Sequence, residues 1–137
     1  MAVAQLKESF ASQLQAFYTG TLDGGEYIPF EYPGPDGKPT TFGEIQLIRE
    51  TGHDGSSTLA VGLWKTEAGL SPEYTFPGGD ETFLVVEGSV TITLLDTGEE
   101  VSLKVGDFAS FVKGTRSQWN FHTAFKKFVI VSDCTPE

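Results

Sequence analysis

Beyond Pro39 the chain breaks into short apolar segments with no helix-length stretch between them, and this pattern constrains the fold more than any other feature. Segments rich in Val, Ile, Leu, Phe and Thr run from Thr41 to Arg49, Thr58 to Thr66, Glu73 to Phe76, Thr82 to Glu87, Ser89 to Leu95, Glu99 to Val105, Phe108 to Val112, Ser117 to His122 and Lys126 to Ser132. Gly and Asp turns separate them, and Asp96-Thr97-Gly98-Glu99 reads as a hairpin. β-Branched and aromatic residues suit a pleated, half-buried surface. Strands this numerous, on connections this short, bury their apolar faces only by closing on one another. The predicted fold is therefore all-β, a double-sheet antiparallel barrel of jelly-roll type.

The 137 residues suffice for one such core and are too few for two barrels. Residues 41–137 are expected to form the barrel, and residues 1–40 a short N-terminal helix and arm packed on it. Val3, Leu6, Phe10, Leu14 and Phe17 recur at the spacing of one apolar helix face, suited to covering the barrel or a second subunit. Turn formers crowd the stretch from Thr19 to Pro39, ending in Pro33-Gly34-Pro35-Asp36-Gly37-Lys38-Pro39, which reads as a surface arm.

Charge narrows the partners. Nineteen Asp and Glu against nine Lys and Arg give a formal net charge of −10, which repels polyphosphate backbones and anionic membrane surfaces. Neither nucleic acid nor membrane is expected as a partner. No run approaches the ~18–20 apolar residues of a membrane span. Gln5, Lys7 and Glu8 interrupt the apolar stretch that a secretory signal needs, so the expected location is cytoplasmic. Cys134, the lone cysteine, has no internal disulfide partner and fits a reducing compartment.

Two glycine-framed motifs lie within the strand-rich region. Gly69, Glu81 and Gly88 frame the first, Gly106 and Gly114 the second. Around them stand Gly62 and Trp64, the acidic pair Asp80-Glu81 before a strand ending in Glu87-Gly88, then Gly106-Asp107 and Trp119. In this order the set resembles the cupin superfamily, specifically a branch of unassigned function that includes the ethanolamine-utilisation cupin and is similar to the cupin domain of (S)-ureidoglycine aminohydrolase. The resemblance spans residues 60–122 and implies the cupin double-stranded β-helix. It also implies where metal ligands would stand. The three imidazole positions of the cupin pattern hold Thr75, Pro77 and Ser117, while Val112 and Phe121 replace its proline and asparagine. None supplies the nitrogen that a transition metal takes, so no metal and no other cofactor is expected.

Strand parity indicates which side chains meet inside. If Glu81 faces inward, so do Phe83 and Val85; if Ser117 does, so do Trp119 and Phe121, leaving Asn120 and His122 outside. His53 falls in the turn Thr51 to Gly55 and reads as a solvated loop residue. The expected cavity thus sets Glu81 among Trp64, Tyr74, Thr75, Phe83, Ser117, Trp119 and Phe121. An unpaired carboxylate there costs several kcal/mol to keep charged, so it must protonate or find a cation or donor. Glu81 is accordingly the candidate proton-handling residue, with Tyr74 as second acid or hydrogen-bond donor; the other reading makes Glu81 a remnant of the motif. Lys113 and Arg116, near the expected barrel mouth, would select a carboxylate ligand, pair with Glu81, or simply be solvated.

Three functions stay open. One is a metal-independent enzyme moving a proton on a small metabolite, of isomerase, dehydratase or lyase type. Another is a non-catalytic ligand-binding or accessory cupin. The third, a metal-dependent enzyme, would need oxygen donors such as Glu81, Glu67 and Glu73. The expected partners are a small-molecule ligand and a second copy of the chain, a homodimer that covers the sheet edges of a single barrel.

Overall fold

A computed structural model of the chain describes residues 15–34 and 36–133. It contains ten strands: β1 (Ile28–Pro33), β2 (Pro39–Thr51), β3 (Thr58–Thr66), β4 (Glu73–Tyr74), β5 (Asp80–Glu87), β6 (Ser89–Leu94), β7 (Glu100–Lys104), β8 (Phe108–Phe111), β9 (Ser117–Phe121) and β10 (Phe125–Asp133). They form a six-stranded sheet in the order β1-β2-β3-β10-β5-β8 and a four-stranded sheet in the order β4-β9-β6-β7. Every pairing is antiparallel, so the architecture is the double-sheet jelly roll that the segment pattern implied. Of the face expected to form an N-terminal helix, Val3, Leu6, Phe10 and Leu14 lie outside the described residues, as does Cys134, while Phe17 belongs to no helix and is 74% exposed rather than covering the barrel.

One strand was not foreseen. Residues 28–33, read as part of the arm, alternate Ile28, Phe30 and Tyr32 toward the interior and pair with β2 from Ile28↔Ile45 to Pro33↔Pro39. The prolines that made this stretch look like loop are tolerated because β1 is an edge strand with one side free of ladder bonds. Another expected strand, Glu73 to Phe76, stops at Tyr74. Phe76 adopts φ 51°, a left-handed conformation unfavourable for a bulky residue, and so leaves the ladder. Its ring is fully buried and stacks on Phe111 at 4.8 Å.

The two motif glycines Gly62 and Gly88 are dictated by crowding. A Cβ on Gly62 would overlap the Gln46 carbonyl of the neighbouring strand, and one on Gly88, at φ 81°, would overlap that of Ala124. Between the sheets the core is largely aromatic. Tyr32, Phe42, Trp64, Tyr74, Phe76, Phe83, Trp119, Phe121 and Phe125 form one buried cluster with Val85, Val90, Ile92 and others. Nine rings in a barrel this small leave little free interior, and that shapes the site.

Candidate functional site

Glu81 enters the interior near the start of β5, alternating with the exposed Asp80 and Thr82. Only 3% of it is exposed, yet it is not alone. Lys127 of the adjacent β10 places Nζ 2.5 Å from Glu81 Oε2, with both side chains only 4% exposed. In the ladder Glu81 lies opposite Val131 and Lys127 opposite Val85, so the lysine stem runs along the inner face to reach the carboxylate. On the way its ammonium passes over the rings of Phe83, Trp119 and Trp64, at 4.4, 4.5 and 4.9 Å from their centroids. Three ring faces attract a cation, and a carboxylate neutralises it. Burial pushes the Lys127 ammonium below its usual pKa, and Glu81 opposes that shift.

Tyr74 completes the polar group. Its hydroxyl donates to Glu81 Oε1 at 3.4 Å, and burial, then the Glu81 charge, pushes the phenol well above its usual pKa. Tyr74 is therefore a protonated donor at any physiological pH. Beside this trio lies a cavity of about 40 Å³, lined on its apolar side by Phe30, Phe42, Ile45, Leu47, Ala60, Trp64, Val129 and Val131. With a water filling ~10–15 Å³ on this measure, the space suits a few waters or a molecule of a few heavy atoms.

The structure sorts the residues singled out from the sequence. Glu81, Tyr74 and Trp64 border the cavity. Phe83 and Trp119 stand one layer back, as the rings under the Lys127 ammonium. Ser117 is fully buried but structural: its Oγ donates to the Tyr74 carbonyl at 2.6 Å and accepts from Trp119 Nε1 at 3.0 Å. Phe121 packs between Trp64 and Phe125, away from the cavity lining. Thr75, just past the end of β4, is exposed between the buried Tyr74 and Phe76. Lys113 does not approach Glu81 either; its Nζ pairs with Asp133 at 2.7 Å, and Arg116 pairs with Asp96 at 2.7 Å. Both are surface ion pairs. Asn120, His122 and His53 are exposed, in keeping with parity and the turn.

The residue that sequence reasoning missed is Lys127. Two signals pointed to it. Adjacent lysines within one strand must occupy opposite faces, and Glu81 required a cation. The outward partner, Lys126, donates to the Leu22 carbonyl at 3.0 Å and holds the arm against the sheet, while Lys127 turns in. Parity alone was ambiguous because β10 is apolar on both faces, Phe125 and Val129 inward and Phe128 and Ile130 outward.

The donor set does not fit a transition metal. Thr75, Pro77 and Ser117 bring no imidazole, no cluster of three or more His, Cys, Asp or Glu exists among the described residues, and the lysine ammonium occupies the coordinating face of Glu81. What the arrangement does offer is a buried ammonium that donates to a carboxylate at 2.5 Å, with a phenol on the carboxylate's other oxygen. Ammonium with carboxylate, or amine with carboxylic acid, differ by one short transfer.

No curated protein matches the chain. Among solved structures, a putative ethanolamine utilization protein Q from Salmonella typhimurium superposes with a TM-score of 0.56 at 20% identity, over 85% of this chain and 100% of that one. The EutQ protein of Clostridium difficile gives 0.52 at 13% identity, over 79% and 97%. A protein of unknown function from Rhizobium leguminosarum gives 0.54 at 18% identity, over 64% and 77%. Identities this low speak for the fold. The sequence profile of the EutQ-like cupin domain matches residues 53–128, a span that includes Trp64, Tyr74, Glu81, Trp119 and Lys127. That span exceeds half of the chain, which therefore belongs to the EutQ-like cupin family.

Proposed function

We propose that this protein binds a small molecule in the barrel cavity without a metal and moves a proton on it through the Glu81–Lys127 pair. The observation that supports this is a buried acid–base pair, 2.5 Å apart, bordering the cavity with a protonated phenol beside it. Isomerisation, dehydration and lyase steps each need one group to take a proton and another to return it. In its neutral arrangement the pair supplies both, the Lys127 amine as base and the Glu81 carboxyl as acid. Tyr74 then donates a hydrogen bond to a ligand oxygen. A buried ion pair beside a cavity, with its lysine pushed below the usual pKa by burial, is an arrangement that functional sites use.

A second reading, ligand binding without turnover, draws support from the tightness of the interior. Glu81 already has two partners, and the cavity of about 40 Å³ leaves little room for a reaction to develop. The two readings separate in two steps. Native mass spectrometry of untagged protein, purified without chelator, identifies any small molecule carried along. With that molecule as substrate, Glu81→Gln is expected to lower the rate by about 10²-fold or more while affinity moves only a few-fold. A changed affinity with no reaction to lose supports the binding reading. About one metal ion retained per chain would overturn the metal-independent site.

A further inference from the structure

We propose that Lys127 is a carbonyl-capturing amine whose Nζ condenses with a two- or three-carbon aldehyde or ketone in the cavity, forming an imine held against Glu81. This names the ligand class of the site proposed above and rests on that reading.

Most of the described lysines face solvent. Lys38, Lys65, Lys104, Lys113 and Lys126 are exposed or partly so, and Lys127 is the one buried lysine among the described residues. Its amine faces a cavity whose other walls are hydrocarbon, apart from the Glu81 carboxylate and the Tyr74 hydroxyl. Those two groups are the ones that condensation requires besides the amine. Glu81 accepts the proton that makes Lys127 nucleophilic, and Tyr74 polarises the carbonyl oxygen by donating to it. Burial supports the first step by pushing the ammonium below its usual pKa. Each unit of such a shift raises the neutral fraction of an amine at neutral pH about tenfold.

The balance closes without a further reactant. Nζ attacks the carbonyl carbon, and the new C–N bond forms as the C=O π pair moves onto oxygen. Glu81 returns its proton to the carbinolamine oxygen, which leaves as water with the second proton from nitrogen. Lysine ammonium and carbonyl become iminium and one water, so charge is conserved. The iminium carries the same single positive charge over the same three rings and opposite the same carboxylate, so a site shaped for the ammonium also holds the adduct. The walls of Phe30, Ala60, Val129 and Val131 are hydrocarbon and offer an approaching water no hydrogen-bond partner. The small cavity, with room for a molecule of a few heavy atoms, sets the size limit.

The test uses the wild-type chain. Protein is treated with propanal and sodium cyanoborohydride at neutral pH, which reduces any imine to a propylated lysine, and peptide mapping gives the rate at each lysine. Lys127 is expected to be propylated faster than any other lysine, because among the described lysines its amine alone sits between a carboxylate that takes its proton and a phenol that donates to the carbonyl. Glu81→Gln, which removes the group that returns the proton to the carbinolamine oxygen, is expected to slow Lys127 alone even though loss of the carboxylate favours the neutral amine. Propylation of Lys127 no faster than that of the exposed lysines overturns the proposal. In parallel, 1-propanol, which is of the same size but lacks a carbonyl, is titrated against the two tryptophan indole N–H signals. Trp64, which lines the cavity, bonds to Phe42 O at 2.7 Å, and Trp119, one layer back, bonds to Ser117 Oγ at 3.0 Å. Indole shifts with 1-propanol but no selective propylation leave the binding site standing and sink the imine. No response to either molecule sinks both.

Discussion

Replacing Lys127 by Met keeps an unbranched stem of similar length under Trp64, Phe83 and Trp119 and removes only the charge. Glu81 then remains 3% exposed, with a single long hydrogen bond from Tyr74 at 3.4 Å to satisfy it. Removing one partner of a buried ion pair costs about 3–5 kcal/mol, because the other charge is left uncompensated. At about 3 °C per kcal/mol for a chain of this length, the melting temperature is expected to fall by about 10–15 °C. Glu81→Leu alone is expected to cost a similar amount by stranding the ammonium. The double variant Lys127→Met/Glu81→Leu removes both charges and should lie within about 2 kcal/mol of wild type, since apolar replacement of a buried pair is close to neutral. A double-mutant cycle by urea denaturation, followed by tryptophan fluorescence, is therefore expected to return a coupling above about 3 kcal/mol at unchanged m-value. Costs that add to within about 0.5 kcal/mol would refute the reasoning, because they would mean that water or another group already serves each charge.

Other outcomes follow from the same contacts. Ser117→Ala leaves the buried Trp119 indole N–H and the Tyr74 carbonyl without their partner and is expected to cost about 1–3 kcal/mol in the same denaturation assay. Asp54 accepts from the backbone N–H groups of Ser57 and Ser56 and from the Ser57 hydroxyl, which holds its carboxyl below the ordinary value of 3.8. Because the folded pKa is the lower one, this contribution is complete above the unfolded value and disappears as pH falls below it. Asp54→Ala should thus lower the melting temperature at pH 7 and match wild type more closely with each step into acid below about pH 4. On the edge strand β8, Phe108 is 77% exposed, with Val112 at 69% and Val105 at 58% nearby, an apolar edge suited to a second copy. Light scattering is expected to report a dimer that Phe108→Asp weakens, and a wild-type monomer would refute that use of the edge.

How far the sequence could be read depended on whether local pattern or tertiary context decided each element. Segments such as Thr58–Thr66 and Ser89–Leu94 were legible because turn residues bound them and β-branched side chains fill them. β1 was hidden because its prolines signal loop, and only its place at the sheet edge makes them acceptable. Phe76 carries no local sign of its left-handed backbone; the buried stack with Phe111 imposes it. At the site, parity placed Glu81, Phe83 and Trp119 inside and His122 outside, because two-residue periodicity is a local property. The cation that Glu81 needs comes from a strand 46 positions away, and no local spacing reveals such a contact.

The way the charge is satisfied also restricts what enters. Glu81 and Lys127 neutralise each other, so the cavity presents no net charge, and an added ion meets like-charge repulsion from one member of the pair without replacing the other. The two cations expected near the barrel mouth do not draw anions in either. Lys113 and Arg116 are paired with Asp133 and Asp96, and the chain as a whole carries −10. The ligand of this barrel should accordingly be neutral, polar at one end and apolar at the other, to match the trio of Glu81, Lys127 and Tyr74 against the Phe30–Val131 wall. Propionate and 1-propanol share a three-carbon chain and differ in charge, which makes them a direct comparison. The tryptophan indole signals are expected to shift with 1-propanol and to stay put with propionate at the same concentration. A stronger response to propionate would mean that the pair opens on binding and that Lys127 is a free cation for an anionic ligand, in conflict with a self-neutralised site.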